Sequence, residues 1–392
     1  MSETVIVSGA RTPIGKFLGV STDFTAMDLG GFAVAEALRR AGIEGDKIDY
    51  VIMGQVLQAG QGQITARQAA TKGGVPMDVP AITINKVCLS GLNAVHLADT
   101  LIRAGEIEIA IAGGMESMTQ APYAMPKART GARMGDAKLV DLMIYDGLWC
   151  AFDRKHMGDS SDDVNKRMGI GRAEQDEWSA RSHERAADAT KAGRLRDEIV
   201  SVAIPQRKGD PILVEEDEGI RPGTTAESLA KLAPAFQKDG TITAGNASQI
   251  SDAGCAMVVM SADKARSLGL DRIATVVAHG QVAGPDASLH LQPSNAIKAA
   301  AAKAGLKADA LDLYEMNEAF AAVALAAGKD LGVSEDKVNV NGGAVALGHP
   351  IGMSGARLIL TLAQELKRRG GGVGAAALCG GGGQGDALII RV

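Results

Sequence analysis

Apolar residues fall into two kinds of run along the chain. Short unbroken runs, VIVSGA (5–10), AITI (81–84), IEIAIAGG (107–114) and VGAAAL (373–378), read as strands. VGAAAL carries no polar alternation, so burial on both faces is expected. Two longer runs with helical spacing, LNAVHLADTLIRAG (92–105) and ARLILTLAQELKRRG (356–370), each follow a Ser-Gly pair and end in glycine. Strand and helix alternate, which predicts an α/β layered fold.

The pattern repeats. Residues 37–56 and 300–319 align without a gap: Ala41-Gly42 with Ala304-Gly305, Asp49 with Asp312, Met53 with Met316, each pair 263 positions apart. Ser90-Gly91 and Ser354-Gly355 follow at a spacing of 264. This spacing implies a duplicated unit of about 120 residues. One half covers 1–119 plus 250–271, the other 272–392. Between them, 120–249 is richer in charge and reads as an inserted segment that shapes a ligand site. RAEQDEWSARSHERAADATKAG (172–193) is expected to form one or two solvated helices.

Composition narrows the class. With 46% hydrophobic and 22% charged residues the chain is an ordinary globular protein, not a disordered one. Glycine is frequent (49 of 392) and aromatics are scarce (3%), so backbones pack closely around Ala, Val, Leu and Ile. A net charge of −5 argues against nucleic-acid binding. No run of about 20 apolar residues predicts a membrane span. The start lacks a basic region followed by an apolar one, which places the protein in the cytoplasm. Four scattered cysteines without a CxxC pair suggest neither a disulfide framework nor a zinc site.

Cys88, in TINKVCLSG, stands between a strand and a long helix. A helix N-terminus there is expected to stabilise its thiolate and lower its pKa; the alternative is a small buried hydrophobe. In the second copy Cys88 falls opposite Gly352, three residues after His349. If the copies face each other, the two turns meet, and a Cys and a His converge as nucleophile and base. A hydrogen-bonded loop histidine is the other reading. Cys379 ends a strand and enters CGGGGQG, whose amides are free to approach a ligand. Its nominal GxGxxG lacks a following helix, and GARTPIGKF (9–17) has the wrong spacing for a phosphate loop, so both nucleotide readings fail. Asn317 follows LDLYEM, where the first copy has only Gly54; it either holds a water or donor position or simply makes a turn.

These residues resemble the thiolase family. The stretches that carry the resemblance are NKVCLSG, GGMESMTQAPY (113–123), NEAFA (317–321), GGAVALGHPIGMSGAR (342–357) and CGGGGQG, with KHMG, IRPGTTAESLAKLAPAF and DGTITAGNAS in the insertion. The resemblance implies a layered α-β-α-β-α core of duplicated halves with a large inserted loop domain. It implies condensation of two acetyl-CoA to acetoacetyl-CoA, and the reverse thiolysis, through an acetyl-Cys88 intermediate. Cys88 would be activated by His349, and Cys379 would move the α-proton. One oxyanion hole would use His349 and a water on Asn317; the other would use the amides of Cys88 and Gly381. CoA would meet Arg221 at its adenine end, Ser248 on the pantetheine, Leu148, His156, Met157, Phe236 and Ala244 along a tunnel, and Ser228 among its other contacts, with Phe320 flanking the acyl pocket. No cofactor or metal is implied, and a homotetramer is expected, with 124–139 as the tetramer loop.

Two segments depart from the family pattern: Asp159-Ser160-Ser161-Asp162 after the His-Met-Gly, and Ser288–Pro293 at the loop bordering the acyl pocket. A degradative 3-ketoacyl-CoA thiolase of broader chain length, or a non-catalytic acyl-CoA binder, are the alternative readings. Cys150 and Cys255 are read as structural. Direction of flux and pathway are not written in the chain.

Overall fold

The computed structural model describes residues 3–392. Residues 1 and 2, which the sequence reading included in the first half, lie outside the described residues. Nine strands matter here: β1 (Thr4–Arg11), β2 (Tyr50–Gly54), β3 (Ala81–Ile84), β4 (Ile109–Ser117), β5 (Ser251–Ser261), β6 (Ala274–Ala283), β7 (Leu313–Met316), β8 (Val373–Gly380) and β9 (Gln384–Arg391). The principal helices are α1 (Ala26–Ala41), α2 (Thr65–Lys72), α3 (Ser90–Ala104), α4 (Met157–Met168), α5 (Arg172–Lys191), α6 (Gln292–Ala304), α7 (Ala321–Leu331) and α8 (Ser354–Arg368).

The duplication is visible in the hydrogen bonds. Asp49 and Asp312 precede equivalent strands, β2 and β7. Each backbone N–H donates to the first residue of the neighbouring strand, Ile109 or Val373. Each carboxylate accepts that same residue's N–H, at 2.9 and 2.8 Å. Gly42 and Gly305 end α1 and α6 in the left-handed conformation, as the repeated Ala-Gly predicts.

The strands run β7-β8-β9-β6-β1-β5-β4-β2-β3 in one path, with the two-residue strand Gly15–Lys16 as a tenth member on β5. The halves join where β1 pairs antiparallel with β6, through Val5–Thr275 and Ile6–Ala274. Helices α1 and α2 cover the outer face of the first half and α6 packs on the second. Helices α3 and α8 lie between the half-sheets and against each other, completing the α-β-α-β-α order. A helix sandwiched between two sheets is covered on nearly every side, and in α8 Leu358, Ile359, Leu360, Leu362 and Leu366 are all fully buried. The repeated Ser-Gly explains how these helices come together. A Cβ on Gly355 would sit 2.3 Å from the Leu92 backbone nitrogen, so only glycine permits the contact.

The insertion is tied to the core by a buried charge. Arg11, on β1, donates to Glu198 at 2.8 Å and to both oxygens of Asp217 at 2.7 and 2.9 Å. Helix α5 corrects the expectation of a solvated segment. It is a single helix, and Gln175, Asp176, Trp178, Ser182 and His183 on it are buried. Polar groups tolerate this because distant partners satisfy them: Gln175 donates to Thr241 and Asp176 accepts from Asn246.

Candidate active site

After β3 the chain turns through Asn85-Lys86-Val87-Cys88 into α3. Val87 has a φ of 52°, a left-handed conformation that costs a β-branched residue strain. Surrounding bonds hold it there. The Ser90 hydroxyl accepts from Lys86 N at 2.8 Å and donates to Val87 O at 2.6 Å, while Asn85 Oδ1 accepts Val87 N at 3.0 Å. Lys86 itself pairs with Asp386 at 2.7 Å. The turn leaves Cys88 on a cavity wall and 4% exposed.

That burial overturns the expected low thiol pKa. Desolvation pushes Cys88 up to about 12, and the nearby Glu116 adds to it; the backbone N–H groups of Cys88 itself and of Gly381 pull the other way. Two amide dipoles do not match the loss of water around a buried sulfur. At rest Cys88 is therefore a neutral thiol, and its proton leaves only when a base takes it.

His349 is the candidate for that base. It lines the same cavity as Cys88, brought there by the turn between residues 348 and 354 of the second copy. Its backbone N–H donates to Gln249 O at 3.0 Å. On the ring, Nδ1 lies 2.6 Å from Ser354 Oγ and Nε2 lies 3.2 Å from Asn317 Nδ2. Burial, with help from the Arg357 charge, holds its pKa down at about 3, so the imidazole is neutral and able to accept a proton. Glu318 anchors this region. Its carboxylate accepts from Trp178 Nε1, Ser182 Oγ, Asn339 Nδ2 and Val345 N at 2.8–3.0 Å, tying α5 to the chain that leads into His349.

Cys379 is the last residue but one of β8, buried among Ile242, Leu289, Ala319, Phe320 and Val323. Burial raises its thiol pKa, and the Cys88 sulfur raises it further, so the two sulfurs lie within electrostatic reach of each other.

The cavity has a volume of about 270 Å³. Of the residues expected along a CoA path, Leu148, His156, Met157, Phe236, Ser248 and Phe320 line it together with Cys88 and His349. His156 and Phe236 stack at 4.6 Å between centroids, and Phe236 meets Phe320 edge-on at 6.3 Å. Arg221, Ser228 and Ala244 do not line it; all three are exposed. Ala244 sits in a turn closed on itself by Thr243 and Asn246. Ser228 is engaged locally, donating to Thr225 O at 2.7 Å. Arg221 adjoins an open cleft of about 850 Å³ between α5 and residues 222–226. Among the described residues no group of three or more His, Cys, Asp or Glu has the arrangement of a metal site.

Sequence reasoning did not single out Glu116 or Ser354 as site residues. Glu116 is fully buried on β4 and accepts Val56 N, Leu57 N and Gly352 N at 2.9–3.1 Å. A lone acid ending the apolar run IAIAGGM was the available signal. Ser354 stands out in the sequence only as a landmark of the repeat.

Residues 4–263 match the family model for the thiolase N-terminal domain, and 270–392 that for the thiolase C-terminal domain. The chain is 59% identical over 387 residues to a probable acetyl-CoA acetyltransferase of Mycolicibacterium smegmatis, covering 99% of this chain and 100% of the relative. It is 51% identical over 391 residues to an acetyl-CoA acetyltransferase of Cupriavidus necator, covering 100% of both. The crystal structure of the Bacillus anthracis acetyl-CoA acetyltransferase superposes with a TM-score of 0.96 at 39% identity, over 100% of this chain and 99% of that one.

Proposed function

The chain belongs to the thiolase family and is an acyltransferase, and we propose that it condenses two acetyl-CoA to acetoacetyl-CoA, and runs the reverse thiolysis, through an acetyl group on Cys88. The observation that supports this most directly is the convergence of Cys88 and His349 on one cavity, with Cys379 in electrostatic reach of Cys88.

In the first half-reaction His349 Nε2 takes the Cys88 proton and the thiolate attacks the thioester carbonyl of acetyl-CoA. The departing CoA thiolate takes the proton of Cys379. This leaves acetyl-Cys88, a Cys379 thiolate and an imidazolium. The carbonyl oxygen of acetyl-Cys88 rests against the Cys88 and Gly381 amides.

A second acetyl-CoA then enters. The Cys379 thiolate removes its α-proton as general base. The enolate oxygen is stabilised by His349 Nε2–H and by a water held on Asn317; Asn317 Oδ1, buried without a protein partner, is the acceptor such a water requires. Carbanion attack on acetyl-Cys88 forms the new carbon–carbon bond. The released Cys88 thiolate recovers its proton from His349, and every group returns to its starting state. The thioester supplies the acidity of the α-proton, so the sequence of steps calls for no metal or organic cofactor.

Cavity-lining Leu148, His156, Met157, Phe236 and Ser248 are the pantetheine contacts in this reading, and the exposed Arg221 and Ser228 meet the nucleotide end. A second reading, a thiolase of longer acyl chains, is favoured by one observation. Met157 also borders a further cavity of about 380 Å³, lined by Ser160, Ser161, Ser288 and Leu289 from the two departing segments. Thiolysis of acetoacetyl-CoA beside that of the eight-carbon homologue, with Cys88→Ala as control, separates the readings. Cys88-dependent turnover confined to the short substrate supports the first; preference for the longer one overturns it.

The assembly we infer is a homotetramer. Strand β3 is a free sheet edge with Ile82 partly exposed, Tyr123, Tyr145 and Phe152 are exposed on the insertion, and Met134 stands out on 124–139. Light scattering that returns a monomer contradicts this. No described helix is long and apolar enough to cross a membrane. Four free cysteines fit a reducing cytoplasm, where we place the protein.

A further inference from the structure

We propose that Ser354 is a positioning residue, which holds the His349 proton on Nδ1 and thereby leaves Nε2 free to take the Cys88 proton. The proposal rests on the catalytic reading above and adds to it the group that sets the tautomer.

The hydrogen bonds argue it from both ends. Ser354 is 2% exposed, and its hydroxyl has one proton to give. The oxygen lies 2.9 Å from Pro350 O, which only accepts, so the hydroxyl proton goes there. The 2.6 Å contact with His349 Nδ1 then requires a proton on Nδ1. From the opposite side, Asn317 Nδ2 only donates, and at 3.2 Å from Nε2 it requires a lone pair there. Both ends give the same tautomer. The Asn317 bond is long and yields readily when Nε2 accepts the thiol proton. The Nδ1–H bond to Ser354 persists in the imidazolium and raises the basicity of Nε2, as an oriented partner does for a histidine.

The duplication gives an independent reason to see a device here. Ser90 is the first-copy counterpart of Ser354, and it too opens a central helix. Each hydroxyl donates to a backbone carbonyl just upstream, Val87 O or Pro350 O. In the first copy the oxygen accepts the Lys86 amide and so stabilises the turn that carries Cys88. In the second copy the accepting role is given to a side chain, His349. One inherited serine fixes the nucleophile's turn, and the other fixes the base's proton.

The test combines a spectrum with kinetics. In protein labelled with ¹⁵N-histidine, the His349 resonances are identified by their loss in His349→Gln. The expected result is a protonated-type shift for Nδ1 and an unprotonated-type shift for Nε2; a proton on Nε2 in the resting wild-type protein overturns the proposal. In thiolysis, Ser354→Ala is expected to lower kcat roughly ten- to a hundred-fold with little change in KM, and to move the acid limb of the profile to lower pH. Ser354→Thr, which keeps the hydroxyl, is expected to recover most of the loss. Wild-type kcat and pH profile in Ser354→Ala also overturn the proposal. If Ser354→Ala does not fold, the wild-type spectrum decides alone. Full activity in His349→Gln instead sinks the catalytic reading, which the spectrum by itself does not touch.

Discussion

Glu116 and Gly352 meet across the boundary between the two copies: the buried carboxylate on β4 accepts the Gly352 N–H at 2.9 Å. The same carboxylate accepts Val56 N and Leu57 N, so one side chain latches the loop after β2 to the turn that follows His349. Glu116→Ala leaves three buried N–H groups without an acceptor, which is expected to cost about 3–5 kcal/mol. Urea unfolding and thiolysis check it. We expect a lower midpoint together with a fall in kcat, and an unchanged midpoint contradicts the latch.

Close approach of the central helices makes a second prediction. Gly355→Ala places a methyl against the Leu92 backbone, which cannot swing aside as a side chain would. A loss of roughly 3 kcal/mol or more is expected. Gly328→Ala is the internal control. A Cβ there meets nothing within 4 Å in helix α7, so it is expected to be neutral or to gain up to about 1 kcal/mol. Equal melting temperatures for the two variants contradict the packing argument.

The third prediction concerns acid stability. His290, on the loop that departs from the family pattern, is buried beside Asn165 at 2.8 Å, and desolvation, with the Arg167 charge, holds it down at about 4. Its folded pKa lies below the unfolded value of about 6.5. The unfolded chain therefore binds the extra proton first, and stability from this group falls as pH drops from about 6.5 to about 4. His290→Gln removes that term. The stability gap between wild type and variant is expected to shrink by about 1 kcal/mol per pH unit across that window. A gap independent of pH contradicts it.

Met157 lines both the catalytic cavity and the neighbouring one. Met157→Ala joins them. Turnover of eight-carbon 3-oxoacyl-CoA relative to acetoacetyl-CoA is expected to rise at least about ten-fold. An unchanged ratio means that the second cavity does not communicate with the acyl end of the substrate.

Sequence pattern exposed those parts of the fold that depend on local or duplicated features. Asp49 and Asp312, the two Ala-Gly pairs and the two Ser-Gly pairs locate the equivalent halves, and the turns bearing Cys88 and His349 follow from aligning them. What escaped depends on distant packing. Helix α5 looked solvated because its polar residues find their partners, Glu318, Thr241 and Asn246, more than sixty positions away. The direction of the Cys88 pKa shift is hidden for the same reason: its helix amides are local, whereas the burial that outweighs them is assembled from distant parts of the chain. Arg221, Ser228 and Ala244 were placed by resemblance, and their exposure depends on how the insertion folds over the core.

The central claim is that Cys88 carries the acyl group and His349 takes its proton. Brief incubation with acetyl-CoA, acid quench and peptide mass spectrometry test it directly. The account predicts an acetyl group on the Cys88 peptide and none on that of Cys379, with formation slowed roughly a hundred-fold or more in His349→Gln. Acetylation at another residue, or full thiolysis by Cys88→Ala, contradicts it.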